Sequence, residues 1–176
     1  MSDSATTVPI VSIVGAGGSG KTTFLEKLIA ELSRRGVRVA TVKHHLHDFD
    51  IDVPGKDSWR HAQAGAVVSM ISSPEKLSVV QKVDEEMPLV SLAMIAHDAG
   101  ADILLSEGYK RVGVNRVEVS RGNGGAALVS SADELVALVT DSPGAAPAGI
   151  PAFGLDDAAG VADLVQSRFL GETNAV

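Results

Sequence analysis

The chain has 176 residues, a formal net charge of −7, no cysteine, and 45% hydrophobic but only 3% aromatic residues. That length suits one domain whose aliphatic core needs no disulfide or metal staple, and the lack of Cys excludes disulfides, thiolate metal sites and cysteine nucleophiles, in keeping with a reducing cytoplasm. An acidic balance with no evident basic face argues against nucleic acid as a partner, and no apolar run approaches the length of a membrane span.

Residues 1–9 are uncharged apart from Asp3 and carry no apolar signal core, so a disordered segment is expected there, followed by a single domain over 10–170 and a frayed tail over 171–176. Ile10–Val14 is a short β-branched run that reads as a buried strand. It leads into Gly15-Ala16-Gly17-Gly18-Ser19-Gly20-Lys21-Thr22, which fits G-x-x-x-x-G-K-[ST], the P-loop or Walker A pattern. Each fixed residue has a physical job. Gly15, Gly17, Gly18 and Gly20 let the backbone curl so that its N–H groups, including those at Ser19 and Thr23, surround a phosphate. Lys21 places a charge on the β/γ-phosphates, and Thr22 offers a hydroxyl to Mg²⁺. Phe24, Leu25, Leu28, Ile29 and Leu32 then recur at helical spacing, and Arg34-Arg35-Gly36 reads as the helix end. Strand, loop and helix stand in the order the motif requires.

A second strand is expected over Val37–Val42, then a polar loop from Lys43 to Lys56 and a short helix from Asp57 or Ser58 to Ala64, closed by Gly65. Ala66–Ile71 reads as a third strand and Lys76–Val83 as an exposed one. Leu89–His97 looks helical, and Asp102–Ser106 is a buried strand stopping at Glu107-Gly108. Arg116–Ser120, Leu135–Thr140 and Ile150–Leu155 are later strands, Gly122–Gly125 has turn chemistry, and a helix closes the chain from Asp156-Asp157 to about Leu170. Strands alternating with helices imply an α/β fold of the P-loop NTPase type, a mainly parallel sheet with helices on both faces. Ligands of such sheets sit outside the carboxyl ends of the strands.

That rule gathers the candidate site residues. Glu107 ends an apolar strand, where a carboxylate would join Thr22 in holding Mg²⁺. Lys43, at another strand end, would contact phosphate or neutralise developing charge. Asp48, Asp50 and Asp52 crowd the following loop; Asp52, nearest Pro54-Gly55-Lys56, is the one expected to hold Mg²⁺ through water or orient the attacking water. His44, His45 and His47 raise a metal-site reading, although neighbouring residues of an extended chain point apart. For the base, Asn115-Arg116-Val117-Glu118 is only a loose echo of the Asn-Lys-x-Asp guanine motif and precedes its strand. Asp141, after Leu135–Val139, is better placed to accept from guanine N1 and N2.

The runs Gly15–Thr23, Thr41-Val42-Lys43-His44, Asp48–Ser58, Arg60-His61, Ala64-Gly65-Ala66, Leu104–Lys110 and Arg116–Val119 together resemble the molybdopterin-guanine dinucleotide biosynthesis protein B (MobB) family. The resemblance covers roughly residues 10 to 120, and the Asp-x-Asp-x-Pro-Gly-Lys-Asp-Ser block followed by Glu-Gly-Tyr-Lys is far more specific than the P-loop alone. It implies a GTP-binding, weakly GTP-hydrolysing, homodimeric accessory protein of the cytoplasm that assists MobA, the guanylyltransferase that joins GMP to molybdopterin. It also implies that Thr22 and Glu107 serve Mg²⁺ and that Lys76–Val83 forms an intersubunit ribbon. No Lys stands at Ala16, so the extra P-loop lysine of dimerising ATPases is missing. Two other readings stand beside it: a nucleotide-gated metallochaperone using the loop histidines, and a small-molecule kinase, for which neither an acceptor pocket nor an Arg-rich lid is evident.

Overall fold

The computed structural model describes residues 7–45, 49, 51–109, 112–122 and 127–171. His47, Asp48, Asp50, most of the Gly122–Gly125 turn, and all but 7–9 and 171 of the expected disordered and frayed ends lie outside those residues. The residues expected to form one domain pack as two compact units, one over Met1–His44 and Pro88–Val176, the other over His45–Met87.

The first unit is built on a six-stranded parallel sheet. Its strands are β1 (Ile10–Val14), β2 (Val39–Lys43), β5 (Ile103–Glu107), β6 (Arg116–Ser120), β7 (Leu135–Thr140) and β8 (Ala152–Phe153), in the spatial order β2-β5-β1-β6-β7-β8. Strands covered on both faces should be apolar throughout, and in β5, β6 and β7 nearly every residue is buried. Helices α1 (Lys21–Arg34) and α4 (Ala158–Val165) cover one face, where Phe24, Leu28, Leu32, Val161 and Val165 meet Val11, Ile13, Ile103, Leu105 and Val117. Helix α3 (Leu89–Asp98) covers the other, with Ala93 and Ala96 against Leu104, Ile10 and Val42. Each fully buried aliphatic side chain contributes roughly 1.5–3 kcal/mol of burial. The fold class expected from the alternation of strands and helices is the one found.

The second unit holds α2 (Asp57–Gln63) and an antiparallel pair, β3 (Val68–Ser72) with β4 (Leu77–Gln81), in register Val68↔Gln81 to Ser72↔Leu77. Ser69, on the inner face, is buried and donates its hydroxyl to the Ser58 carbonyl. Met70, Leu77 and Val79 share the outer face and are exposed.

Boundaries differ from expectation where backbone bonding is diverted. β2 begins at Val39, because the Val37 N–H is spent on the Leu32 carbonyl in closing α1. β8 is only two residues long: Pro151 has no N–H to give, and the Gly154 carbonyl accepts from Asp157 N, turning the chain away. The closing helix runs as α-helix only to Val165 and continues to Leu170 as a wider π turn, which sets Phe169 and Leu170 against the core.

Candidate functional site

The parallel register carries β1, β5 and β2 to one level at their carboxyl ends, pairing Ile13 with Glu107 and Lys43 with Glu107. The glycine-rich loop leaves β1 at that level. Gly15 has φ +144°, and a Cβ there would meet the Val119 carbonyl oxygen at 2.3 Å, so only glycine lets the loop press against β6. Gly18 and Gly20 also have positive φ, and the Ser19 N–H bonds back to the Ala16 carbonyl. The Ser19 hydroxyl is buried, with no hydrogen-bond partner. The Lys21 ammonium lies along the loop, donating to the Ala16 carbonyl at 2.7 Å and the Gly15 carbonyl at 3.2 Å. α1 therefore starts at a loop whose backbone N–H groups and lysine suit an anion.

Beside the loop, the Thr22 hydroxyl donates to Glu107 Oε1 at 2.8 Å. Glu107 is buried, and Lys43 Nζ stands 4.0 Å from the same oxygen. A hydroxyl and a carboxylate with no sulfur or nitrogen among them form a donor set for a hard cation such as Mg²⁺. His44 continues from Lys43; its N–H bonds to the Glu107 carbonyl and its ring packs 4.7 Å from that of the buried Tyr109.

The remaining candidates make other contacts. Asp52 belongs to the second unit, where Oδ1 accepts from the Ser58 hydroxyl at 2.9 Å. His45 packs near Phe49 in that unit, and among the described residues no three His, Cys, Asp or Glu side chains group as a metal site would need. Asn115 sits at the amino end of β6 with φ +49° and donates its side-chain amide to the Ile10 carbonyl, a structural role away from the loop. Asp141, at the carboxyl end of β7, accepts from Gly122 N at 2.6 Å.

Three residues beside the loop escaped the sequence reading. Arg121, one residue past β6, donates Nε to the Ser19 carbonyl at 3.3 Å. Lys27 on α1 is ion-paired with Asp156, two residues beyond Gly154. The rule that ligands gather at strand carboxyl ends would have found Arg121. Asp156 read as a helix-start residue, and only the return of β8 brings it opposite α1.

Residues 10–141 match the family described as Molybdopterin guanine dinucleotide synthesis protein B, MobB. A molybdopterin-guanine dinucleotide biosynthesis adapter protein of Haemophilus influenzae is 33% identical over 136 residues, 77% of this chain and 76% of that protein. The adapter protein of that name from Escherichia coli is 34% identical over 122 residues, 68% and 70% of the two chains. The crystal structure of Bacillus subtilis MobB superposes with a TM-score of 0.74 at 30% identity, covering 93% of this chain and 99% of that one. No helix among the described residues is long and apolar enough to cross a membrane. Sequence and fold agree over most of the chain, which therefore belongs to the MobB family.

Proposed function

We propose that this protein is an adaptor in molybdopterin-guanine dinucleotide biosynthesis that binds Mg²⁺–GTP at Gly15–Thr23 and hydrolyses it slowly. The pathway reading rests on the adapter proteins of Haemophilus influenzae and Escherichia coli to which the chain is similar. The single observation that carries the nucleotide reading is the 2.8 Å bond between the Thr22 hydroxyl and the buried Glu107 carboxylate, beside a loop whose lysine already lies along it. In this reading the loop N–H groups and Lys21 take the β- and γ-phosphates, and Thr22 and Glu107 hold the metal. Mg²⁺, when bound, offsets the charge of the phosphate oxygens. Lys43, 4.0 Å from Glu107, adds a second cation on that side. Slow turnover is in keeping with a sequence in which no arginine finger is identifiable; such a group is worth about 10³–10⁵ in rate.

Two copies would pair through the outer face of the second unit, where Met70, Leu77 and Val79 leave an apolar surface on a two-stranded ribbon of a kind that is marginal alone. The partner in this reading is MobA, the guanylyltransferase that attaches GMP to molybdopterin, in the cytoplasm. A reconstituted mixture of that transferase, molybdopterin and Mg²⁺–GTP tests it. Added protein should raise the rate of guanylyl transfer, and Lys21→Ala protein, folded but unable to hold the triphosphate, should not. Stimulation by the variant equal to that by the wild type, or none by either, overturns the proposal.

A further inference from the structure

We propose that the cleft between α1 and the β8–α4 turn is the purine-base subsite, and that Asp156 and Lys27 select guanine there while Arg121 lies against the base. The inference rests on the triphosphate reading of the loop and extends it to the other end of the nucleotide.

Thr22 and Glu107, which would hold Mg²⁺, stand on the side of β5 and β2, so the β- and γ-phosphates would lie on that side. The α-phosphate and nucleoside must then leave the loop on the opposite side, over β6, β7 and β8. A cleft of about 190 Å³ lies there. It is lined by Ser19 and Gly20 of the loop and by Lys27, Arg121, Leu155 and Asp156. Pockets for whole drug-sized ligands run to roughly 300–1,000 Å³; this one suits a single ring system with its sugar and phosphates outside.

The wall chemistry is asymmetric. The Asp156 carboxylate is 92% exposed, and its bond to Lys27, with a smaller effect of the Arg121 charge, holds it below its ordinary value. An ionised carboxylate only accepts, and guanine presents N1–H and N2–H₂ as adjacent donors. Adenine offers a lone pair at N1, which that carboxylate repels. The Lys27 ammonium supplies a donor for guanine O6, where adenine carries an amino group that is itself a donor. Arg121 is steadied beside the loop: Nε bonds to the Ser19 carbonyl, and Nη2 stands 3.4 Å from where a Cβ on Gly20 would be. A planar guanidinium held there can stack on either purine. Asp141, bonded to Gly122 N, fixes the backbone next to Arg121 and acts as a positioning residue.

The test is titration of the full chain with Mg²⁺ complexes of GTP, ATP, xanthosine triphosphate and tripolyphosphate. Asp156→Asn should weaken GTP by about 10- to 100-fold and leave ATP and tripolyphosphate unchanged. It should also strengthen xanthosine triphosphate, whose C2 oxygen can accept from the new amide. Lys27→Met should weaken GTP and not ATP. An unaltered GTP/ATP ratio in both variants overturns the assignment, as does loss of the ratio in Asp141→Asn alone, which would make Asp141 the reader. Tripolyphosphate binding with no preference among bases overturns the subsite but not the loop; binding of neither tripolyphosphate nor GTP overturns both.

Discussion

At Gly15 the backbone takes φ +144°, and an added methyl would sit 2.3 Å from the Val119 carbonyl oxygen and 2.9 Å from the Ser19 hydroxyl. Gly17 is different: nothing lies within 4 Å of a Cβ there, and its φ is not positive. Gly15→Ala should therefore cost roughly 2–4 kcal/mol of stability, and Gly17→Ala less than about 0.5 kcal/mol. Urea unfolding of the two variants checks this; equal losses would contradict it. The same contrast marks what was legible in the sequence. The motif glycines, Lys21, Thr22 and Glu107 could be read because local pattern and the strand-end rule suffice to find them. Arg121 was within reach of that same rule, one residue past β6; Asp156 was not, because it reaches the loop only through the pairing of β6, β7 and β8, which no local pattern encodes.

Helix ends were the most legible elements. α1, α2 and α3 close in the same way: Gly36, Gly65 and Gly100 each bond back three residues, and the next residue bonds back five. This is the Schellman arrangement, in which a left-handed residue satisfies the last carbonyls. Edge elements were poorly legible. The apolar run Ile150–Leu155 contains Pro151 and Gly154, and backbone bonding cuts it to two paired residues. The α1–α4 contact was not legible at all. There Arg35 bonds to Glu31, to Asp163 at 2.5 Å, to Gln166 and to the Ala159 carbonyl. Hydrogen bonds from Arg34 and then Arg35 lower the Glu31 carboxyl from its ordinary 4.5 to about 2. A depressed acid stabilises the fold above its unfolded value and loses that contribution as pH falls through its folded value. Glu31→Gln should thus lower Tm at pH 6, and the gap from wild type should close as pH falls from 4.5 towards 2. A gap constant over that window would contradict the role.

Across the whole molecule, period and order in the sequence were enough for the parallel α/β sheet, because both faces of its central strands are buried and all but the alternating β6 read as mainly apolar runs. The division at His45 and Pro88 was not evident, since Val68–Ser72 looks like any other strand until, among the described residues, it pairs with β4 in a separate two-stranded sheet. The sheet brings the glycine-rich loop, Thr22, Glu107 and Lys43 to one level, and that convergence is what the proposed function rests on. Titration calorimetry of Mg²⁺–GTP against wild type, Lys21→Ala and Glu107→Gln, with and without a chelator, tests it most directly. The account predicts one site per chain in the wild type and no measurable binding by Lys21→Ala at unchanged Tm. It also predicts that Glu107→Gln is weakened when Mg²⁺ is present but matches the wild type when it is removed. Undiminished GTP affinity in Lys21→Ala, or an equal loss in Glu107→Gln with and without the metal, would contradict it.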